Sequence, residues 1–172
     1  MATHPDAKVH FYKSDMVLHI HSDGSYLSAP QSQSRVGGYF YLSSATTNPA
    51  ACAHNSAIYV LSHILKRVLA SAAEVDIGAT FTNTQDAVPI RQMLRDMGHL
   101  QPATPIQVDN TAAVGFANST LKQKRSKYID MNYYWIQDRS NLQKFHIYWS
   151  LGKDNIGDYH TKYFSPAHHK QV

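Results

Sequence analysis

The sequence is poor in cysteine, in glutamate and in long apolar runs. Cys52 is the only cysteine, so the chain can form neither an internal disulfide nor a cysteine-based metal framework, and the eleven histidines do not complete one. None of the apolar runs approaches the roughly 18 residues that a membrane span requires, and no membrane partner is expected. Glutamate is common on ordinary helix surfaces, yet Glu74 is the only glutamate beside eleven aspartates. The absences therefore exclude a disulfide-stapled scaffold and an integral membrane protein, and they single out Glu74.

The chain of 172 residues has room for one compact domain. Residues 1–14 are polar and without periodicity, which predicts a leader or linker; the domain is expected over 15–165 and a C-terminal tail over 166–172. The first residues contain neither the apolar core of a secretion signal nor the Arg-rich pattern of a transit peptide. This favours the cytoplasm or the nucleus.

Alternating apolar residues predict five strands. The first begins at Met16 and ends at the Asp23-Gly24 turn signal, and the second covers about Val36 to Leu42, with Ala57 to Leu65 as the third. The segments PATPIQVDN, whose strand ends at Asp109, and FHIYW supply the last two. Strands first and then alternation with helices favour an α/β fold, a mixed sheet with helices on both faces.

Helical spacing begins near Ala70, where Ser71 is a candidate N-cap and Glu74 has the spacing of a capping box. Pro89 predicts a break near Ala87, followed by a second helix that Gly98 ends. A terminal helix containing Asp158 is expected from Lys153 to about Phe164.

Two acids, Asp23 and Asp109, follow predicted strands directly, and sites of α/β sheets lie at the carboxyl ends of strands. If helices bring Glu74 and Asp158 to the same cleft, the four carboxylates would repel one another unless cations were bound. Mg²⁺ or Mn²⁺ prefers such oxygen ligands. Each acid also has an ordinary explanation: Asp23 as a turn residue, Glu74 and Asp109 as helix-capping residues, Asp158 as a surface residue.

Six blocks of the sequence together resemble the ribonuclease H domain that ends the polyprotein of copia-type LTR retrotransposons. No block is decisive alone, but their order agrees throughout, and the resemblance runs from about Asp15 to His169. The blocks are HSDGSYLS, SRVGGYFYLSS, ASAAEVDIGA, PIQVDNTAAVGFAN, KRSKYIDMNYYWIQDR and GKDNIGDYHTK.

The resemblance implies a ribonuclease H-like fold, with three antiparallel and two parallel strands, and a metal-dependent endoribonuclease that hydrolyses the RNA strand of RNA/DNA hybrids. By resemblance Asp23 bridges two Mg²⁺ ions, for which Mn²⁺ can substitute. Asp158 helps hold the ion that activates water, and Glu74 with Asp109 holds the ion beside the leaving group. The implied partners are the hybrid and the reverse transcriptase domain of the same polyprotein, in a cytoplasmic retrotransposon particle or in the nucleus. This interpretation requires all four carboxylates to converge.

Two groups of residues are candidates for nucleic-acid contact. Backbone amides and small polar side chains can read 2′-hydroxyls, and basic side chains bind phosphates. The first group is Gly24, Ser25, Ser71 and Asn110; the second is Lys122, Lys124, Arg125 and Lys127.

Gly157 departs from the family pattern, which usually has alanine there, and a glycine inside a helix is unfavourable by up to about 1 kcal/mol. A catalytically decayed module that binds nucleic acid without turnover is the alternative hypothesis. An integrase-type nuclease is a third, but it would need another arrangement of acids.

Overall fold

The computed structural model describes residues 8–66, 69–117 and 127–164. The described chain forms one sheet, three α-helices and short 3₁₀ segments. The elements that position the site are β1 (Val17–Ala29), β2 (Gln33–Ser43), β3 (Ala57–Ile64), α1 (Ala72–Asp96), β4 (Thr104–Val108), α2 (Thr111–Ala117), α3 (Lys127–Asn141), β5 (Phe145–Trp149) and the 3₁₀ segments Gly152–Asp154 and Ile156–His160.

The five strands lie in the order β3-β2-β1-β4-β5. The first three strands pair antiparallel, whereas β4 is parallel to both β1 and β5. The parallel register places Ile20 of β1 opposite Ile106 of β4. The mixed sheet expected from the sequence, with three antiparallel strands and two parallel additions, is confirmed.

The first strand is longer than predicted, because Asp23-Gly24 is not a turn. β1 continues for 13 residues, and Asp23 pairs with Gly37 in its middle. Gly24 is required there for a different reason: a Cβ atom would lie 2.8 Å from Asp76 Oδ1 and 2.9 Å from Val75 Cγ1. The missing side chain lets α1 approach the sheet at this point.

The helix break predicted before Pro89 is wrong, since α1 is one helix of 25 residues with the proline inside it. Pro89 and Gln85, whose carbonyl loses its hydrogen bond, both lie on the exposed side, where water can compensate. Ala87 and Leu94 are buried and hold the helix on the core through the proline. Gly98 follows the end of the helix with φ of 90°, which confirms the predicted stop.

The main hydrophobic core lies between one face of the sheet and helices α1 and α3. Leu18 and Ile20 of β1 pack there with Val75 of α1 and Ile136 of α3. None of the helices in the described ranges combines the length and apolar character that crossing a bilayer requires.

The opposite face of the sheet is covered by the 3₁₀ segment Ile156–His160 and the chain before β3. The predicted continuous helix from Lys153 to Phe164 is wrong: two 3₁₀ segments separated by Asn155 replace it. Asn155 donates from Nδ2 to the Ser22 carbonyl at 2.9 Å, and the Ile156 N–H donates to His21 Nδ1 at 3.1 Å. These two bonds attach the segment to β1.

Two histidines of β1 are buried on this second face. Burial lowers the pKa of His19 to about 4 and that of His21 to about 3; in both, neighbouring histidine charge acts in the same direction. The unfolded chain therefore binds protons more readily than the folded chain below pH 6.5, the ordinary pKa of histidine. The stability that these two neutral histidines contribute is fully present above pH 6.5 and is lost as the pH falls toward their lowered pKa values.

A His21→Gln variant should lose part of this acid sensitivity. We expect its free energy of unfolding, measured with urea between pH 6.5 and 4, to fall less steeply than that of the parent. The difference should reach about 1.4 kcal/mol per pH unit. The exposed His63→Gln serves as the control and should keep the parental slope. Equal slopes in all three proteins would contradict the assignment.

Candidate metal centre

Three carboxylates from three different elements meet beside the middle of β1. Asp23 comes from β1, Asp76 from α1 and Asp109 from the end of β4, and one oxygen of each lies within 4.8 Å of the others. Asp23 is 3% exposed and Asp76 is 7% exposed. The parallel pairing of β1 with β4 and the close approach of α1 over Gly24 produce this arrangement.

Asp76 is held by its neighbours in one orientation. Asn110 donates from Nδ2 to Asp76 Oδ2 at 2.6 Å. Burial raises the pKa of Asp76 to about 7; the Asn110 hydrogen bond opposes this rise, and the charges of Asp23 and Asp109 add to it. Two forces, desolvation and like-charge repulsion, therefore disfavour the ionised carboxylate, as expected of a site that takes a cation.

Asp23 lies between the buried cluster and the segment that follows Ile156–His160. The Thr161 hydroxyl donates to Asp23 Oδ2. Burial raises the pKa of Asp23 to about 6, the Thr161 bond lowers it, and the charge of Asp158 raises it further. The pKa of Asp23 therefore depends on the charge of Asp158 on one side and on that of Asp109, a member of the cluster, on the other.

The predicted fourth acid, Asp158, is adjacent to this cluster but engaged elsewhere. Its Oδ1 forms an ion pair with the Lys162 ammonium, four residues on, and Asp158 is outside the group of mutually close oxygens among the described residues. Partial burial acts to lower the pKa of Lys162. The hydrogen bond with Asp158 and the charges of Asp23 and Asp109 outweigh this and raise it above its ordinary value.

Glycines allow the segment that carries Asp158 to reach the sheet. A Cβ on Gly157 would lie 2.9 Å from the His21 carbonyl oxygen, and one on Gly37 would lie 2.5 Å from the Gly157 carbonyl oxygen. Gly157, which departs from the family pattern, is therefore required by close contact with β1. The helix penalty expected from the sequence does not apply, because the segment is 3₁₀.

Gly37→Ala should destabilise the protein by about 1–3 kcal/mol, because the new methyl group displaces the segment that carries Asp158. Gly78→Ala, inside α1, is the matched control. Its Cβ would lie at an ordinary contact distance of 3.5 Å from Leu69 Cδ1, and the substitution should increase the free energy of unfolding by up to about 1 kcal/mol. Urea unfolding measures both. Equal effects of the two substitutions would contradict the close contact at Gly37.

Glu74 does not join the cluster, and the expectation that it converges with the other acids is not met. Its Oε2 accepts a hydrogen bond from the Ala70 N–H at 2.7 Å, while its own N–H donates to Ser71 Oγ at 3.3 Å. This is the helix-capping alternative. Residues two apart in a helix point about 200° away from each other, so Glu74 and Asp76 cannot face the same cleft.

The acid that α1 brings to the cleft is Asp76, which the sequence analysis missed. The requirement that the four chosen acids converge therefore fails at Glu74, and a different set, with Asp76 in its place, lies around the cleft. The available signal was the position of Asp76 between Val75 and Ile77, in the most apolar stretch of the helix, where an unpaired acid would be costly.

The residues predicted to contact nucleic acid have varied surroundings. Ser25 is buried and Ser71 caps α1, while Asn110 binds Asp76 and accepts from the Ala112 N–H at 2.9 Å. Lys127 begins α3. The other three basic residues, Lys122, Lys124 and Arg125, lie outside the described residues. All of these assignments, with that of Gly24, stay predictions.

Comparison with known proteins shows the fold. The N-terminal RNase H domain of a Mycobacterium tuberculosis protein superposes with a TM-score of 0.60 at 14% identity, covering 85% of this chain and 91% of that one. The chain has a ribonuclease H-like fold. LC11-RNase H1, isolated from compost by a metagenomic approach, superposes with a TM-score of 0.59 at 12% identity, covering 84% of this chain and 91% of that one. The structure of LC11-RNase H1 in complex with an RNA/DNA hybrid gives a TM-score of 0.58 at 12% identity, covering 83% of this chain and 92% of that one.

At these identities the likeness to ribonucleases H extends to the fold alone. No family model and no curated protein matches the sequence. The copia-type retrotransposon origin, like the domain limits 15–165, stays a prediction.

Proposed function

We propose that the chain is a metal-dependent endoribonuclease that hydrolyses the RNA strand of RNA/DNA hybrids. The observation that carries the proposal is the cluster of Asp23, Asp76 and Asp109, whose oxygens lie within 4.8 Å of one another in a ribonuclease H-like fold. A structural neighbour, LC11-RNase H1, is known in complex with such a hybrid.

The donor set fits a hard divalent cation. All three groups are carboxylates, and burial together with the neighbouring acids raises the pKa of Asp23 and of Asp76, so a bound cation would stabilise the ionised cluster. Asp23, Asp76 and Asp109 would hold one Mg²⁺ ion, or Mn²⁺ as a substitute, and Asp23 with Asp158 a second. Such ions lower the pKa of bound water and stabilise the charge that develops on the attacking and departing oxygens.

The chain's own residues orient this donor set. The Asn110 amide donates a hydrogen bond to Asp76 Oδ2, and the Thr161 hydroxyl donates one to Asp23 Oδ2. The Trp149 indole N–H donates to the Asp109 carbonyl at 3.0 Å and so ties that residue to the end of β5. These bonds reduce the reorganisation that ion binding would otherwise require.

Ion binding should weaken as the pH falls, because a cation must displace a proton from Asp76 below pH 7 and from Asp23 as well below pH 6. The expected Mg²⁺ affinity, measured by isothermal titration calorimetry from pH 8 to 5.5, falls about tenfold per pH unit below 7 and more steeply below 6. The heat of Mg²⁺ binding should also differ between two buffers of different ionisation enthalpy, because the buffer takes up the protons that the carboxylates release. An affinity independent of pH would contradict the site.

The activity is tested with one RNA strand annealed either to DNA or to RNA. With Mg²⁺ the chain should cut the RNA of the hybrid, leave the RNA duplex intact, and produce 5′-phosphate and 3′-hydroxyl ends. Salt-sensitive binding of the hybrid without metal-dependent cutting would instead favour the catalytically decayed module.

The biological setting is proposed from the six sequence blocks alone. In that setting the chain removes template RNA during reverse transcription, beside the reverse transcriptase domain of the same polyprotein, in a cytoplasmic particle or in the nucleus.

A further inference from the structure

Two consecutive residues, Thr161 and Lys162, engage two carboxylates of the site. The Thr161 hydroxyl donates to Asp23 Oδ2, and the Lys162 ammonium pairs with Asp158 Oδ1. Sequence analysis singled out neither residue. Both follow the 3₁₀ segment that carries Asp158, so the acid and the groups that occupy its side of the cleft belong to one short stretch of chain.

The two contacts differ in how easily they can be broken. Thr161 is 3% exposed, and its one O–H is shared between Asp23 Oδ2 and the Asp158 carbonyl oxygen, which lies 3.1 Å from Thr161 Oγ1. These contacts fix the threonine in place. The Lys162 side chain is 48% exposed and ends a flexible four-carbon stem. Of the two groups, Lys162 can leave with little rearrangement of the fold.

The contacts divide the site into two halves. The oxygens of Asp23, Asp76 and Asp109 that lie within 4.8 Å of one another are already assembled for one ion. On the other side, the Lys162 ammonium already pairs with Asp158 Oδ1, so a second ion held by Asp158 and Asp23 would have to bind close beside this ammonium or displace it. Two cations close to one carboxylate repel each other, which disfavours binding of the second ion while the ammonium is in place.

We propose that Lys162 is a tethered competitor of the second metal ion, so that the site loads in two steps. The first ion binds to Asp23, Asp76 and Asp109 with Lys162 in place. The second binds only after the ammonium has left Asp158, and its affinity is lowered by that displacement. This inference rests on the proposed function, since it assigns the loading order of the same two-ion site.

Mn²⁺ binding to the full chain tests the inference without reference to activity. Calorimetry gives the affinity of each ion, and electron paramagnetic resonance detects the magnetic coupling of two neighbouring Mn²⁺ ions. In the parent protein we expect a tight first ion and a second at least about tenfold weaker. In Lys162→Met the second ion should tighten at least about tenfold, and the coupled signal should develop at lower Mn²⁺ concentration.

Two further variants separate the tethered charge from other effects. Lys144→Met removes the same charge at an exposed position just before β5, at the end of that strand that is remote from Asp109. Its second-ion affinity should equal that of the parent. Lys162→Arg keeps a cation beside Asp158 and should also keep the second ion weak. A second-ion affinity in Lys162→Met equal to that of the parent overturns the inference.

Failure of the inference and failure of the proposed function give different results. If Asp76→Asn loses the first ion while Lys162→Met leaves the second-ion step unchanged, only the loading order is refuted. If the parent binds no first ion, or if Asp76→Asn binds it as the parent does, the proposed metal site is refuted and the inference with it.

Discussion

Asp76→Asn should reduce the rate of hybrid cleavage by about a thousandfold, while Glu74→Gln should leave it within about threefold. The first substitution removes an ion ligand from the buried cluster, a loss of about 4 kcal/mol of transition-state stabilisation. The second removes only a charge that lies outside the cluster, since the glutamine amide oxygen can still accept the hydrogen bond from the Ala70 N–H, and it should cost less than about 1 kcal/mol of stability.

The pair is informative because both acids lie on the same turn of α1 and are changed to their own amides. Single-turnover cleavage of a labelled hybrid at saturating Mg²⁺ gives the rate, and circular dichroism establishes that both variants are folded. A large loss in Glu74→Gln together with an active Asp76→Asn would restore the assignment made from sequence and refute the cluster proposed from the structure.

Asp76→Asn should also be more stable than the parent when divalent ions are removed with EDTA at pH 8. The pKa of Asp76 is about 7 in the folded chain and 3.8 ordinarily. The sign follows from linkage: a carboxyl whose folded pKa is raised favours the folded state below pH 3.8, and that contribution is lost as the pH rises through 7. Removing the buried charge should therefore raise the free energy of unfolding by up to about 4 kcal/mol.

Thermal and urea unfolding with EDTA and with Mg²⁺ measure this effect. Mg²⁺ should stabilise the parent and leave Asp76→Asn nearly unchanged, since an ion that binds only the folded state adds stability in proportion to its affinity. Asp138→Asn, at a carboxylate 61% exposed and 3.8 Å from Arg139, should behave as the parent in both conditions. A destabilised Asp76→Asn would show that the carboxylate stabilises the ion-free fold.

Periodicity was sufficient to predict the strands, because each buries one face. Leu18 and Ile20 point into the core while His19 and His21 point to the other side, and this alternation is visible in the sequence. Local signals were misleading where a tertiary contact decided the outcome. Asp23-Gly24 reads as a turn, yet the glycine serves the approach of α1.

The acid that α1 brings to the cluster was mispredicted for a similar reason. Glu74 has both the capping-box spacing and a match to a family motif, and the structure realises the capping interaction. Choosing Asp76 requires knowledge of which side of α1 faces Asp23, and this depends on how the helix lies across the sheet. Thr161 and Asp23 are 138 positions apart, and nothing local in either segment indicates that they meet.

The four acids are held by different kinds of secondary structure. Asp23 lies in β1, Asp76 in α1 and Asp109 directly after β4, so regular secondary structure holds all three. Asp158 belongs to a short segment that hydrogen bonds from Asn155 and Ile156 fasten to β1, and a segment of this kind can open locally while the rest of the domain stays folded. A preparation can therefore pass every test of folding while a fraction of its molecules has, at any moment, only half of the proposed ion-binding site.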